Sequence, residues 1–261
     1  MRTNSQINKK GNNMDKISII SSDARYEALN EILLENGFDS RICDKNSVGS
    51  PNILILPIKS ALADEDFSKI FEGLDKRTLV FCGESDKVRT YFDGEIINYA
   101  KDENFLNENA YITAECALGF SIMEMGKTVK SSKMAIIGYG RIAKHLSKML
   151  VSLGASVTVY ARREKAREEA KNLGITALHT DFVSGNLTSC DFDVIYNTVP
   201  EKIVSKIVSD EISPKTLVYD LASLPGGFED INLPKRLLAL PGKIMPFASA
   251  MAIFDFVKPY L

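Results

Sequence analysis

A glycine-rich turn between an apolar run and a helical pattern has the clearest chemistry. Gly138 and Gly140 flank one residue, and Ala143 follows three positions on. This is the G-x-G-x-x-G/A spacing of a dinucleotide-binding crossover, in which the second glycine lets the main chain approach a pyrophosphate. The first N–H groups of the helix, at Arg141 and Ile142, lie at the positive end of the helix dipole and would face the phosphates. We predict a dinucleotide site here; a plain glycine turn in a parallel sheet is the alternative.

The next strand, residues 154–160, distinguishes NADP from NAD. NAD enzymes usually have an Asp or Glu at its end, about 20 residues past the first glycine, to bind the ribose 2′-OH. Here Tyr160 occupies that place, and Arg162 and Arg163 follow. A carboxylate would repel a 2′-phosphate, whereas an arginine pairs with it. The pattern favours NADP; alternatively, the basic run is only the solvated start of the next helix.

Three later turns, at residues 197–200, 220–227 and 240–243, are predicted to follow strands of the same sheet. Ligands in such sheets bind beyond the carboxyl ends of the strands. The glycine pair at 226–227 would permit backbone approach to a flat ring, whereas ordinary loop chemistry is the alternative for all three turns. The residues assigned here to the cofactor are Asn197, Thr198, Val199, Pro200, Ala222 and Ser223.

Composition excludes several classes of protein. The 261 residues carry 32 basic and 34 acidic side chains, and the net charge of −2 argues against nucleic-acid or anionic-membrane binding. No apolar run approaches the roughly 20 residues of a membrane span. Four widely separated cysteines and two histidines do not form a zinc set, so no metal site is expected. The cysteines are interpreted as small core residues in a reducing compartment.

Alternating strand and helix patterns predict an α/β protein with two doubly wound parallel-sheet (Rossmann-like) domains joined by a long connector helix. Residues 1–15 are polar and are predicted to be a disordered lead-in, with Met14 a candidate start. The first domain covers 16–108, the connector 109–129 and the NADP-binding domain 130–244, with a last strand at 237–240. Residues 245–261 are predicted to form a buried helix that packs back on the domain junction.

Several segments together resemble the family of the A subunit of dipicolinate synthase over about residues 16–258. They are Ser22-Asp23-Ala24-Arg25, Thr113-Ala114-Glu115 and the segments 138–143, 197–200, 220–227 and 240–246. The resemblance implies NADP-dependent oxidation of a dihydrodipicolinate-type precursor to pyridine-2,6-dicarboxylate during endospore formation, in the mother-cell cytoplasm. It also implies a separate, flavoprotein-like B subunit as partner. A homo-oligomer is expected as well.

The histidines disfavour alcohol oxidation. Hydroxy-acid dehydrogenases of similar architecture need a histidine to move the hydroxyl proton. His145 lies on the helix after the glycine turn, and His179 lies near the third strand of that sheet, so neither is near the later turns. Aromatisation of a dihydropyridine is less demanding, because positioning, a hydride acceptor and one modest base suffice.

A planar dicarboxylate needs cations or several neutral donors in a cleft between the two sheets, because an unpaired buried charge is costly. The candidate substrate ligands are Arg25, Lys59, Ser60, Ser223 and Lys243. The candidate catalytic residues are Lys243 and Glu115, with Glu115 as the base at the start of the connector helix. The alternatives are a solvated arginine and a glutamate that merely stabilises the positive end of its helix.

Two other functions fit the same residues. One is a catalytically silent NADP-binding subunit that regulates or scaffolds a partner enzyme, which the lack of an obvious base favours. The other is a different NADP-dependent dehydrogenase on the same two-domain plan.

Overall fold

The computed structural model describes residues 16–58, 62–181, 187–188 and 190–261. The predicted lead-in at 1–15 and the candidate ligands Lys59 and Ser60 lie outside these residues. The chain divides into two compact units. The first comprises Met1–Leu106 with Ala250–Leu261, and the second comprises Asn107–Ser249.

The first unit contains a five-stranded sheet of order β2-β1-β3-β4-β5, in which all neighbouring strands are parallel. Its central strand β3 is entirely apolar and buried, as expected for a strand covered on both faces. Its elements are β1 (Lys16–Ile20), α1 (Ala24–Glu35), β2 (Asp39–Cys43), β3 (Ile53–Ile55), α2 (Asp64–Phe71), β4 (Leu79–Cys82), α3 (Ser85–Arg89) and β5 (Ile96–Asn98).

The second unit contains a six-stranded parallel sheet of order β11-β10-β9-β6-β7-β8. The strand order reverses between β6 and β9, and this switch point is where open α/β sheets bind ligands. Its strands are β6 (Lys133–Ile137), β7 (Ser156–Tyr160), β8 (Thr176–Leu178), β9 (Val194–Asn197), β10 (Leu217–Asp220) and β11 (Lys235–Arg236). With the first sheet, this arrangement confirms the predicted fold class.

The helices of this part of the chain alternate with the strands. They are α4 (Glu103–Met125), α5 (Arg141–Ser152), α6 (Glu164–Lys171), α7 (Lys206–Glu211), α8 (Leu240–Ile244) and α9 (Pro246–Val257). The long helix α4 begins in the first unit and continues into the second. None of the described helices is both long and apolar enough to cross a bilayer.

Helix α4 starts earlier than the predicted connector at 109–129. Asp102 caps its first turn, since the Asp102 Oδ1 accepts a hydrogen bond from the Phe105 N–H at 2.7 Å. An aspartate before a helical pattern is a common N-cap, and this signal was present in the sequence. Glu115 therefore lies in the middle of α4, and the prediction that it opens the helix is wrong.

The predicted last strand at 237–240 is also wrong. The strand is β11, and Leu240 already begins α8. Pro241 lies in the first turn of α8, where its missing N–H costs nothing. The segment at 240–243 that was predicted as a turn is thus helical. Because β11 is only Lys235 and Arg236, no apolar alternation marks it.

Helix α9 is buried on one side rather than all round. Ala250, Ile253, Phe254 and Val257 belong to the hydrophobic core of the first unit. Phe247 is 62% exposed, so the apolar composition of this segment does not make every face a core face.

The cysteines differ from expectation in one case: Cys43, Cys82 and Cys116 are buried thiols, but Cys190 is exposed.

Candidate dinucleotide site

Gly138, at the end of β6, is a glycine because the fold requires one. Its φ is +97°, and a Cβ there would lie 2.4 Å from Thr198 Oγ1 and 2.8 Å from Val199 Cγ2. Its N–H donates to the Tyr160 carbonyl over 2.8 Å, which joins the turn to β7. Any side chain at position 138 would be strained and would collide with the loop after β9.

Gly140 differs in both respects. Its φ is −83°, which any residue adopts, and among the described residues a Cβ there would meet no atom within 4 Å apart from its chain neighbours and its own helix. It is also the N-cap of α5, has no side chain with which to cap the helix, and is followed by no acidic residue in the first turn. The protein itself gives no reason for glycine here. A ligand that approaches the main chain at the helix N-terminus does give one.

The basic turn after β7 is held in place by a third arginine. Arg167 Nη1 donates to the carbonyl oxygens of Ala161 and Arg162, at 2.8 and 2.7 Å. The side chains of Arg162 and Arg163 remain exposed. Arg162 Nη1 lies 3.7 Å from Glu201 Oε2, on the loop after β9. The backbone of the turn is thus held by hydrogen bonds from Arg167, whereas the guanidinium groups of Arg162 and Arg163 lie at the surface.

Tyr160, placed at the cofactor by the sequence analysis, has its ring in the core. The side chain is fully buried and packs edge-on against Phe192, with 6.4 Å between ring centroids. Burial raises the pKa of Tyr160 well above its usual range. The structure therefore gives Tyr160 a backbone role in the turn, through the bond that its carbonyl accepts from Gly138.

A cavity of about 210 Å³ brings three of the predicted segments together. The glycine turn, the basic turn and the loop after β9 all contribute to its wall. The described residues that line it are Gly138, Tyr139, Gly140, Ala161, Arg162, Arg163, Ala166, Thr180, Thr198, Val199, Pro200, Glu201 and Ile203. Arg141, Ile142, Asn197, Ala222 and Ser223, also predicted as cofactor ligands, are not among them. The segments that meet here could each be found from local sequence, because each follows a strand.

Sequence reasoning missed Tyr139, Thr180 and Glu201. Tyr139 is 5% exposed, and burial raises the pKa of its hydroxyl. Lys144 Nζ lies 5.6 Å from the centre of the Tyr139 ring. Glu201 could have been found, because it directly follows the predicted segment 197–200.

Asn197 and Thr198 hold the loop after β9 rather than presenting free donors. Thr198 Oγ1 donates to the Ile137 carbonyl over 2.8 Å. Asn197 is fully buried; its Nδ2 donates to Asp220 Oδ1 at 2.7 Å and to the Val199 carbonyl at 2.9 Å. Both side chains therefore shape the cavity wall by fixing the backbone behind it.

The glycine pair of the loop after β10 has a structural explanation. A Cβ on Gly226 would lie 2.3 Å from Asp220 Oδ2, and one on Gly227 would lie 2.3 Å from Asn197 Nδ2. The Gly227 N–H also donates to Asp220 Oδ2 at 3.2 Å. These glycines are needed because the loop passes against the buried Asn197–Asp220 pair. Approach to a flat ring is not needed to explain them.

The candidate substrate and catalytic residues lie in different surroundings. In the first unit, Arg25 is 6% exposed, and its Nε donates to Asp23 Oδ1 at 2.7 Å. In the second unit, Ser223 is exposed beyond β10, Lys243 is exposed on α8 and Glu115 is exposed on α4. Arg25 is thus the candidate whose guanidinium is already ordered by a carboxylate.

The two histidines do not line the cavity. His145 Nε2 lies 2.9 Å from Asn107 Oδ1, and its ring packs edge-on against Tyr111. Burial lowers the pKa of His145. His179 directly follows β8. Within the described residues, the cavity wall therefore contains no imidazole, and its charged groups are Arg162, Arg163 and Glu201.

The glycine turn, the uncapped helix and the paired arginines form a suitable wall for the phosphates of a dinucleotide. Comparison with known proteins agrees. Residues 106–203 match the family described as "D-isomer specific 2-hydroxyacid dehydrogenase, NAD binding domain". The matched segment contains all three parts of the cavity wall. This part of the second unit is therefore similar to the NAD-binding domain of dehydrogenases, and the similarity supports a nicotinamide cofactor.

Relatives extend the similarity to nearly the whole chain. The A subunit of dipicolinate synthase from Bacillus subtilis is 26% identical over 94% of this chain and 95% of its own length. Its crystal structure, at 21% identity, superposes with a TM-score of 0.74 over 94% of this chain and 95% of that one. A transhydrogenase from Sinorhizobium meliloti, at 14% identity, superposes with a TM-score of 0.68 over 94% and 93% of the two chains.

The structural superpositions establish the two-sheet fold, and the curated relative adds similarity in sequence. The chain is a dehydrogenase-like protein, and its resemblance to the A subunit of dipicolinate synthase, predicted from its motifs, is confirmed over nearly its full length.

Proposed function

We propose that this protein is an NADP-dependent oxidoreductase that converts a dihydrodipicolinate-type precursor to dipicolinate during endospore formation, in association with the B subunit of a dipicolinate synthase. The full-length similarity to the A subunit of such an enzyme supports the reaction and the partner. The dehydrogenase-type domain supports hydride transfer.

The observation that carries the proposal is the free space at Gly140. Gly140 has an ordinary φ, and no non-adjacent part of the described structure lies within 4 Å of the position of its missing Cβ, so these residues do not explain the glycine. The pyrophosphate of a dinucleotide explains it, because the phosphate needs that space to reach the N–H groups of α5. At the neighbouring Gly138, by contrast, Thr198 and Val199 occupy the space that a Cβ would need.

NADP is favoured over NAD by the residues around the basic turn. No carboxylate ends β7, since the Tyr160 ring is buried in that place. Arg162 and Arg163 instead line the cavity with exposed guanidinium groups. Two guanidinium groups suit a 2′-phosphate, which accepts charge-assisted, bidentate hydrogen bonds.

When bound, NADP supplies the hydride acceptor. Among the chain's own residues, the candidate ligands for the carboxylates of the substrate are Arg25 in the first unit and Lys243 and Ser223 in the second. Lys59 and Ser60, outside the described residues, are further candidates. Glu115 is the proposed base for the ring proton that must leave as the product becomes aromatic. Lys243 is proposed as the second catalytic residue. Because the stability of the aromatic product supplies the driving force, positioning, a hydride acceptor and one modest base suffice for the reaction.

The test is the purified chain mixed with precursor and NADP, with NADPH followed by absorbance and dipicolinate by mass spectrometry. The proposal expects precursor-dependent NADPH and equimolar product, with NAD giving a lower kcat/KM. Adding the B subunit should raise the rate or leave it unchanged. Gly140→Val serves as the matched control, because it removes the phosphate space without touching the candidate catalytic groups.

A second candidate is a catalytically silent NADP-binding subunit that regulates or scaffolds its partner. The absence of imidazole from the described cavity wall, and the exposure of Glu115 on α4, favour it. In that case the chain binds NADP, yields no NADPH alone or with the B subunit, and changes the rate at which the B subunit works. Turnover by the purified chain would eliminate this candidate.

A further inference from the structure

Glu201 is the acidic group in the described wall of the cavity, and it faces the arginines assigned to NADP. Its Oε2 lies 3.7 Å from Arg162 Nη1. The two residues come from different loops: Arg162 follows β7, and Glu201 follows β9. Those strands flank β6 in the sheet, so the pair connects the loops on either side of the glycine turn.

We propose that Glu201 is a specificity-determining residue that competes with the 2′-phosphate of NADP for Arg162. The proposal rests on the function proposed above. At 3.7 Å the Glu201 carboxylate forms an ion pair with Arg162 and leaves the planar fork of the guanidinium open to bidentate binding, so a 2′-phosphate and Glu201 compete for the same positive charge. NAD has only a hydroxyl at that position, so its binding need not displace Glu201.

Arg167 does not relieve this competition. Its Nη1 is committed to the carbonyl oxygens of Ala161 and Arg162, where it supports the turn. Two cations, Arg162 and Arg163, are therefore directed to the cavity, and one of them faces a carboxylate. Glu201 thus lowers the positive potential that a 2′-phosphate meets and reduces the preference for NADP.

The expected change in NADP affinity on removal of the Glu201 carboxylate depends on how exposed the side chains of Arg162 and Glu201 are. The side chains of Arg162 and Glu201 are 77% and 62% exposed, and ion pairs in water are weak and screened by salt. The phosphate can therefore displace Glu201 at modest cost. Removing the carboxylate should tighten NADP binding by about twofold to fivefold at low ionic strength, with a smaller gain at high salt.

The experiment is calorimetric titration of wild type and Glu201→Gln with NADP, NAD and 2′,5′-ADP, which carries the phosphate without the nicotinamide. We expect Glu201→Gln to increase the affinities for NADP and 2′,5′-ADP by about twofold to fivefold and to change the affinity for NAD by less than about 1.5-fold. Glu211→Gln is the matched control. It removes the same charge from an exposed residue at the end of α7, outside the cavity, and should change none of the three affinities.

A double-variant cycle tests the mechanism. In an Arg162→Ala background, Glu201→Gln should have little remaining effect, because the competition needs Arg162. An undiminished gain in that background would overturn competition. So would unchanged NADP affinity in Glu201→Gln, or weakened NAD binding, which would indicate that Glu201 holds the ribose. If the wild-type protein binds NAD and not NADP, both the proposed competition and the proposed preference for NADP are wrong. If it binds no dinucleotide at all, the proposed dinucleotide function falls as well.

Discussion

Asn197 donates a hydrogen bond to Asp220 over 2.7 Å, and both side chains are fully buried at the carboxyl ends of β9 and β10. The two residues are also register partners in the parallel ladder. Asp220 accepts further hydrogen bonds from the N–H groups of Ala222 and Gly227. This pair joins the loops after two neighbouring strands and fixes the backbone behind the cavity.

Replacing Asn197 by alanine should destabilise the protein by about 2 kcal/mol. The change removes the bond to Asp220 and the two bonds that Asn197 makes with the Val199 backbone, leaving buried polar groups unpaired. Urea unfolding should show a lower midpoint with an unchanged slope. Asn172→Ala, at an exposed helix end, should cost less than about 0.5 kcal/mol. Equal stability of the two variants would contradict this role for the pair.

The two glycines of the phosphate turn should respond differently to substitution. Gly140→Val places a side chain in open space, so we expect dinucleotide affinity to fall by at least about tenfold, while stability falls by no more than about 1 kcal/mol from the poorer N-cap. Gly138→Ala combines a positive φ with contacts of 2.4 and 2.8 Å, so it should cost about 1–3 kcal/mol of stability. Titration and thermal melting of both variants separate the roles. Normal binding by Gly140→Val would make position 140 purely structural.

The double variant Arg162→Ala, Arg163→Ala should weaken NADP binding by about tenfold to a hundredfold, since charge-assisted hydrogen bonds contribute about 1.5–3 kcal/mol. NAD binding should be nearly unaffected. Lys165→Ala, which removes a nearby positive charge that does not line the cavity, is the control. Equal losses for NADP and NAD in the double variant would mean that these arginines do not contact the 2′-phosphate.

Substrate binding is tested by steady-state kinetics with saturating cofactor. Arg25→Ala and Lys243→Ala should raise KM by about tenfold, whereas Glu115→Gln should lower kcat. Asp23 both caps α1 and orders the Arg25 guanidinium, so the matched control is Glu31→Gln, which removes a charge from an exposed residue of α1 and leaves that contact in place. A similar rise in KM for Glu31→Gln, or an unchanged KM in Arg25→Ala, would contradict a role for Arg25 in holding the substrate.

Thiol reactivity should separate Cys190 from the other cysteines. Burial raises the pKa of Cys82 and Cys116 to about 11, and it also raises that of Cys43. At pH 8, a thiol with a pKa of about 11 is ionised in only about one molecule in a thousand. Cys82 and Cys116 therefore have very little thiolate, which is the form that reacts. An aromatic disulfide reagent should therefore modify one thiol per chain rapidly in the native protein and all four in urea. Rapid modification of two or more native thiols would contradict the buried positions.

The sequence by itself determined the features that depend on local pattern. Apolar runs, glycine spacing and the helical period between residues 133 and 152 are properties of neighbouring residues, so strand, turn and helix could be predicted together. Strand and helix patterns alternate repeatedly along the chain, and this was enough to predict two parallel sheets. The three segments that line the cavity were found for the same reason, because each directly follows a strand.

Tertiary structure decided what depends on distant residues. Asn197 and Asp220 are 23 positions apart, and only strand pairing makes them partners and gives Gly226 and Gly227 their role. Strand β11 is two charged residues that lack a periodic signal, and its pairing with β10 places Arg236 beside Asp220. The contact between Arg162 and Glu201 likewise exists because β7 and β9 both flank β6. Local preferences define the elements, whereas long-range packing selects which side chains meet.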